Sequence, residues 1–127
     1  MLPAHRFEDL KSWQKAREMT ALIYKITNQE YFRYDRVLRE QMRGAALSIM
    51  ANIAEGFERN SRKEYIQFLY IAKASAGELR SHLYAAKDQA YLSAGDFEEI
   101  CGQLDHISRM LSRHILFLKS SQKTKNE

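Results

Sequence analysis

Proline occurs once in this chain of 127 residues, at Pro3, so nothing obliges a helix interior to break. Glycine is scarce as well, with five residues, and the expectation is a few long helices rather than many turns. The single cysteine, Cys101, excludes an internal disulfide and any cysteine-based zinc cage, and it suits a reducing, cytoplasmic compartment. No apolar run approaches the roughly 18 residues of a membrane span, and Met1 to Arg6 lack the apolar stretch of a secretory signal. No membrane contact is expected, and the first residues read as a short frayed arm.

Catalytic signatures are missing too. There is no glycine-rich phosphate loop, no Gly-x-Ser-x-Gly and no Cys/His arrangement that marks a nucleophile. None of His5, His82, His106 and His114 follows a glutamate by three positions, which removes the Glu-x-x-His element of di-iron bundles. Glu78 and His82 stand one turn apart, a spacing shared by metal ligands and, far more commonly, by simple hydrogen-bonded pairs. Neither an enzyme nor a cofactor or metal is expected. Charge of one sign is not dominant either: 20 bases against 16 acids leave +4, which permits an anionic partner without requiring one.

What is present is helical periodicity. Leu10, Trp13, Ala16, Met19, Ile23 and Ile26 predict a first helix from about Glu8 to Thr27. The link from Asn28 to Tyr34 carries Tyr31, Phe32 and Tyr34, aromatic anchors for the end of a core. Asp35 is placed to cap a second helix through Leu38, Met42, Ala45, Ile49, Ile53 and Phe57, stopping near Arg59 and Asn60. Ser61-Arg62-Lys63-Glu64 has the form of a capping box. It opens a third helix with Tyr65, Phe68, Leu69, Ala72, Ala76, Leu79, Leu83, Ala86 and Ala90 on one side. Ser93 or Asp96 caps a fourth, with Phe97, Ile100, Leu104, Ile107, Leu111, Ile115 and Leu118. Short connections make antiparallel neighbours. The predicted fold is therefore all-α, an antiparallel up-down-up-down four-helix bundle over residues 1–118, followed by a polar tail at 119–127 too poor in apolar surface to order.

Three surface features bear on function. On the second helix Gln41, Ser48, Asn52 and Glu55 form a polar stripe whose counterpart on the third helix is Ser75 and Glu78. A hydrogen-bond network that sets helix register is favoured there over a ligand site. The third helix also carries Ile66, Tyr70, Gly77, Tyr84 and Tyr91, well round the cylinder from its core stripe. Such a second face points to contact with another subunit. Finally, Arg36, Arg39 and Arg43 fall within about 60° on a helical wheel, and Arg59, Arg62 and Lys63 make a second cluster by the capping box. Guanidinium groups in a row suit phosphate oxygens. A solvated face paired with nearby acids fits the same residues equally.

The run Gln41-x-Arg43-x-Ala45-Ala46-x-Ser48-Ile49-x-x-Asn52-Ile53-Ala54-Glu55-Gly56 resembles the signature of the bacterial four-helix-bundle proteins encoded in intervening sequences of large-subunit ribosomal RNA genes, the S23-type family. Trp13-Gln14-x-Ala16, Ile23-Tyr24-x-x-Thr27 and Ala72-Lys73-x-Ser75-x-x-Glu78-Leu79 extend the resemblance over nearly the whole chain. It implies a ring-shaped homopentamer with no enzymatic activity or cofactor. The chain is also similar to the accessory protein of diversity-generating retroelements, which implies binding to nucleic acid and to a reverse transcriptase. It departs from the pattern at Gly44, where arginine is common, at Met50, where proline is common, and at Ala74, where glycine is common. Losing the arginine weakens the basic patch that the resemblance implies, and losing the proline should straighten the second helix.

The functional expectation is a non-enzymatic homo-oligomer that binds RNA or DNA through phosphate contacts of little sequence preference. The alternative is an oligomeric scaffold for another protein, its positive charge incidental.

Overall fold

A computed structural model describes residues 4–126, with side chains through Ser121. Four helices account for most of it: α1 (Lys11–Thr27), α2 (Arg36–Phe57), α3 (Arg62–Asp88) and α4 (Ala94–Asn126). Among the described residues there is no strand.

The helix boundaries follow local chemistry. Glu8 and Asp9 lie in a separate 3₁₀ turn, Phe7–Asp9, and extended Leu10 divides them from α1. Asp35 caps α2, its Oδ1 accepting from the Leu38 amide at 3.1 Å. Ser61 Oγ accepts from the Glu64 amide at 3.3 Å, and Ser93 Oγ, rather than Asp96, caps α4 by accepting from the Asp96 amide at 3.1 Å. Each bond satisfies a donor that the first helical turn would leave open. Helix α2 is continuous through Met50. There the sulfur accepts from Thr20 Oγ1 at 3.4 Å.

Helix α3 stops earlier than its apolar pattern suggests. Ala90, expected on the core stripe, is exposed and lies past the helix end at φ 63°. The Ala90 amide donates to Lys87 O at 2.9 Å and the Tyr91 amide to Ala86 O at 2.9 Å. This is the Schellman closure, with alanine where glycine is usual.

Successive helices are antiparallel. Thr20 meets Ala46 and Thr27 meets Arg43 across α1 and α2. Ser48 meets Ser75 across α2 and α3, and the ring pairs Tyr84–Phe97 and Tyr65–His114 join α3 to α4. The core runs along this bundle through Met19, Ile23, Met42, Ile49, Ile53, Leu69, Leu79, Leu83, Leu104 and Leu111, each burial contributing roughly 1.5 to 3 kcal/mol in gross terms. Of the three link aromatics only Phe32 is buried, while Tyr31 and Tyr34 stand in solvent.

Close approach of α2 and α3 depends on Gly56. A Cβ there would lie 2.8 Å from Phe68 Cβ and 3.1 Å from Tyr65 Cδ1, so any larger residue pushes the helices apart beside their turn. In the segment expected to be a disordered tail, the helical backbone of α4 continues through Asn126. Glu127 lies outside the described residues.

Candidate nucleic-acid interface

The first arginine cluster does not form a free basic face. Arg36 Nε pairs with Glu40 Oε1 at 2.9 Å, and this hydrogen bond holds the Glu40 carboxyl below its usual pKa. Arg39 Nη1 donates to Arg33 O at 3.4 Å. Arg43 turns inward to the end of α1. Its Nε donates to Thr27 Oγ1 and its Nη2 to Asn28 Oδ1, both at 2.8 Å, over the ring of Tyr24. The expected row of phosphate ligands is thus one surface ion pair, one backbone contact and one structural tether.

The polar stripe resolves into a smaller unit. Ser48 Oγ and Ser75 Oγ are 2.8 Å apart, and Asn52 Nδ2 donates to Ser48 O and Ser48 Oγ at 2.8 and 3.0 Å. Glu55 instead pairs with Arg59 at 2.8 Å, Glu78 reaches His82 at 3.4 Å, and Gln41 is exposed. The second tyrosine face also divides. Tyr70, Gly77 and Tyr84 are exposed, with exposed Ala74 and Ser81 between them. Ile66, however, is only 7% exposed and belongs to the core. Tyr91 donates to Asp35 Oδ2 at 3.0 Å and packs against Phe32. Its position beyond Asp88 takes it off the face that a continuing helix would have given it.

Basic charge gathers elsewhere, where the start of α3 meets the end of α4. Arg59 lies over the Phe68 ring. One guanidinium nitrogen of Arg62, Nη1, is buried without a hydrogen-bond partner, as is the hydroxyl of Tyr65. Lys63 is exposed and forms no ion pair among the described residues. Burial pushes the Tyr65 phenol upward and the His114 imidazole downward, and the two rings pack edge to face.

Helix α4 supplies the other side. Its opening part holds Asp96, Glu98, Glu99 and Asp105 and no base. From His106 to Asn126 the signs reverse: Arg109, Arg113, Lys119, Lys123 and Lys125 occur with no acid. Arg109 is held by Asp105 at 2.9 Å, and Lys119 by the hydroxyl and ring of Tyr70. Arg113 is exposed and makes no ion pair among the described residues. This polarity suits the helix macrodipole, and it gathers the bases of α4 toward the end of the bundle that also holds Arg62 and Lys63, with Glu58 and Glu64 beside them. It does not show as a cluster in the sequence because its bases are spread along the helix. The signal was a run without acids.

A shallow groove between α1 and α4 is lined by Lys15, Glu18, Glu99, Gln103 and His106, mixed in sign and with Lys15 paired to Glu18 at 3.2 Å. Among the described residues no three His, Cys, Asp or Glu side chains group as metal ligands would.

Residues 8–113 match the family model for the 23S rRNA-intervening sequence protein. The chain belongs to that family. A crystal structure from the same S23 family, of a protein with unknown function from Bacteroides thetaiotaomicron, has a TM-score of 0.75 at 27% identity. The likeness covers 82% of this chain and 97% of that one. No curated protein matches the chain. The family match ends at Arg113, so the last basic residues of this intervening-sequence protein fall beyond it.

Proposed function

We propose that this intervening-sequence protein is a non-enzymatic homo-oligomer that binds RNA or DNA through phosphate contacts at the α3–α4 end of the bundle. The observation that carries the reading is the acid-free run of α4 lying beside Arg62 and Lys63. Lys63 and Arg113 are exposed and form no ion pair among the described residues, so they remain available to phosphates, and such contacts bind with little regard to sequence. This reading keeps Arg59, Arg62 and Lys63 as candidates and moves the weight from Arg36, Arg39 and Arg43 to Arg113 and Lys119.

Self-assembly rests on the face of α3 from Tyr70 through Ala74, Gly77 and Ser81 to Tyr84, exposed in the single chain. Small residues there let another helix approach, and flanking tyrosines supply contact area. Exposed Gly44, Leu47 and Ala51 on α2 offer a second shallow face. Two different faces on one subunit make head-to-tail contacts, which form a ring where the rotation between subunits closes, and the family resemblance implies five members.

Electrophoretic retardation of RNA and DNA in low salt tests the first part, and light scattering the second. Retardation that weakens steeply with added salt supports nucleic-acid binding. No retardation of any probe leaves the protein-scaffold reading in its place. A monomer at micromolar concentration contradicts the ring.

A further inference from the structure

Leu116 and Phe117 stand 66% and 67% exposed on α4, while Leu111, Ile115 and Leu118 of the same helix face the core. They add little to the bundle, and the stretch of their own helix from His106 onward carries bases and no acid through Asn126. Arg113 lies three residues before Leu116 and four before Phe117, the spacings that bring side chains together on one helix face. The nearest acid upstream, Asp105, is already held by Arg109 at 2.9 Å.

We propose that Phe117 is a stacking platform for an unpaired base, with Leu116 beside it and Arg113 on the adjoining phosphate, so that the protein prefers single-stranded to duplex RNA. This rests on the nucleic-acid reading above and deepens it. In a duplex the base faces are stacked inside and only phosphates and groove edges meet the protein. A ring projecting from a positive surface gains contact only where a base is unpaired. The occupant follows from charge and area together. Two apolar side chains interrupted by Arg109 and Arg113 do not form the continuous apolar face that a membrane-surface helix needs. They are enough to stack one base, and Arg113, exposed beside them and in no ion pair among the described residues, complements the strand's phosphates.

Fluorescence anisotropy with a labelled oligouridine and a labelled RNA duplex of matched length tests this on the full chain. The expected result for Phe117→Ala is a loss of about tenfold in affinity for oligouridine, with duplex binding and the salt dependence unchanged because no charge is removed. Phe117→Trp should retain affinity and show tryptophan quenching on binding beyond that of the wild type, whose own tryptophan is Trp13. Phe117→Ala that binds oligouridine as the wild type does overturns the inference. So does a change in its sedimentation, which would mean that a second copy covers the ring. In both cases wild-type binding to either probe leaves the phosphate reading standing. Binding to neither probe removes both.

Discussion

Ser48 and Ser75 place their hydroxyl oxygens 2.8 Å apart across the α2–α3 seam, with Asn52 donating to Ser48 from one turn on. Ser75 is buried, so deleting its partner strands a hydroxyl away from water at a cost of about 1 to 3 kcal/mol. Ser48→Ala should therefore lower unfolding free energy in urea, and a double-mutant cycle with Ser75→Ala should return a coupling of about 1 kcal/mol. Additive losses would show that the two hydroxyls do not act together.

Arg43 is predicted to matter for stability rather than for binding. Arg43→Ala breaks the bonds to Thr27 and Asn28 that tie α1 to α2, at roughly 1.5 to 3 kcal/mol for a hydrogen-bonded charge. Urea denaturation measures the loss. Nucleic-acid affinity of the folded variant should stay within about twofold of wild type, well below a tenfold or 1.4 kcal/mol change.

Ala90 occupies a left-handed position at the end of α3. An alanine there carries about 1 to 2 kcal/mol of steric strain that glycine does not, offset in part by glycine's greater freedom when unfolded. Ala90→Gly should raise the midpoint of thermal unfolding. A lower midpoint would contradict the strain at this residue.

His114 gives the fold a pH dependence. Burial lowers its pKa below the usual 6.5, so the unfolded chain takes up a proton before the folded one does. Its contribution to stability is full above the unfolded pKa and is lost as pH falls through that value toward the folded pKa. Denaturation in urea at pH 7.5 and pH 5.5 (values of about 1 unit either side of the unperturbed histidine pKa) should show a loss of stability on acidification. The loss should shrink in His114→Phe.

Much of this was legible in the sequence, for physical reasons that also explain the misses. Periodic apolar residues identify the four helices, and Asp35, Ser61 and Ser93 mark three starts because their side-chain oxygens cap amides locally. Ile66 was misread because α3 packs against both α2 and α4, which widens its buried face beyond one stripe. Tyr91 was misread because the heptad spacing carries past the helix end at Asp88. Arg43 looks solvent-directed on a wheel. Only the tertiary position of Thr27 and Asn28 turns it inward. Gly56 stands in the family signature, but its role needs the 2.8 Å approach to Phe68.

The central claim is that phosphate contacts lie at the α3–α4 end of the bundle. Its most direct test is the salt dependence of RNA affinity in two charge-reversal variants, Lys63→Glu with Arg113→Glu and Arg36→Glu with Arg39→Glu. Each lost phosphate contact reduces the slope of log K against log salt by about 0.7 to 0.9. The account predicts a slope shallower by roughly 1.5 and weaker binding to all sequences for the first variant, with the wild-type slope kept in the second. A slope reduced only in the Arg36 and Arg39 variant would contradict it.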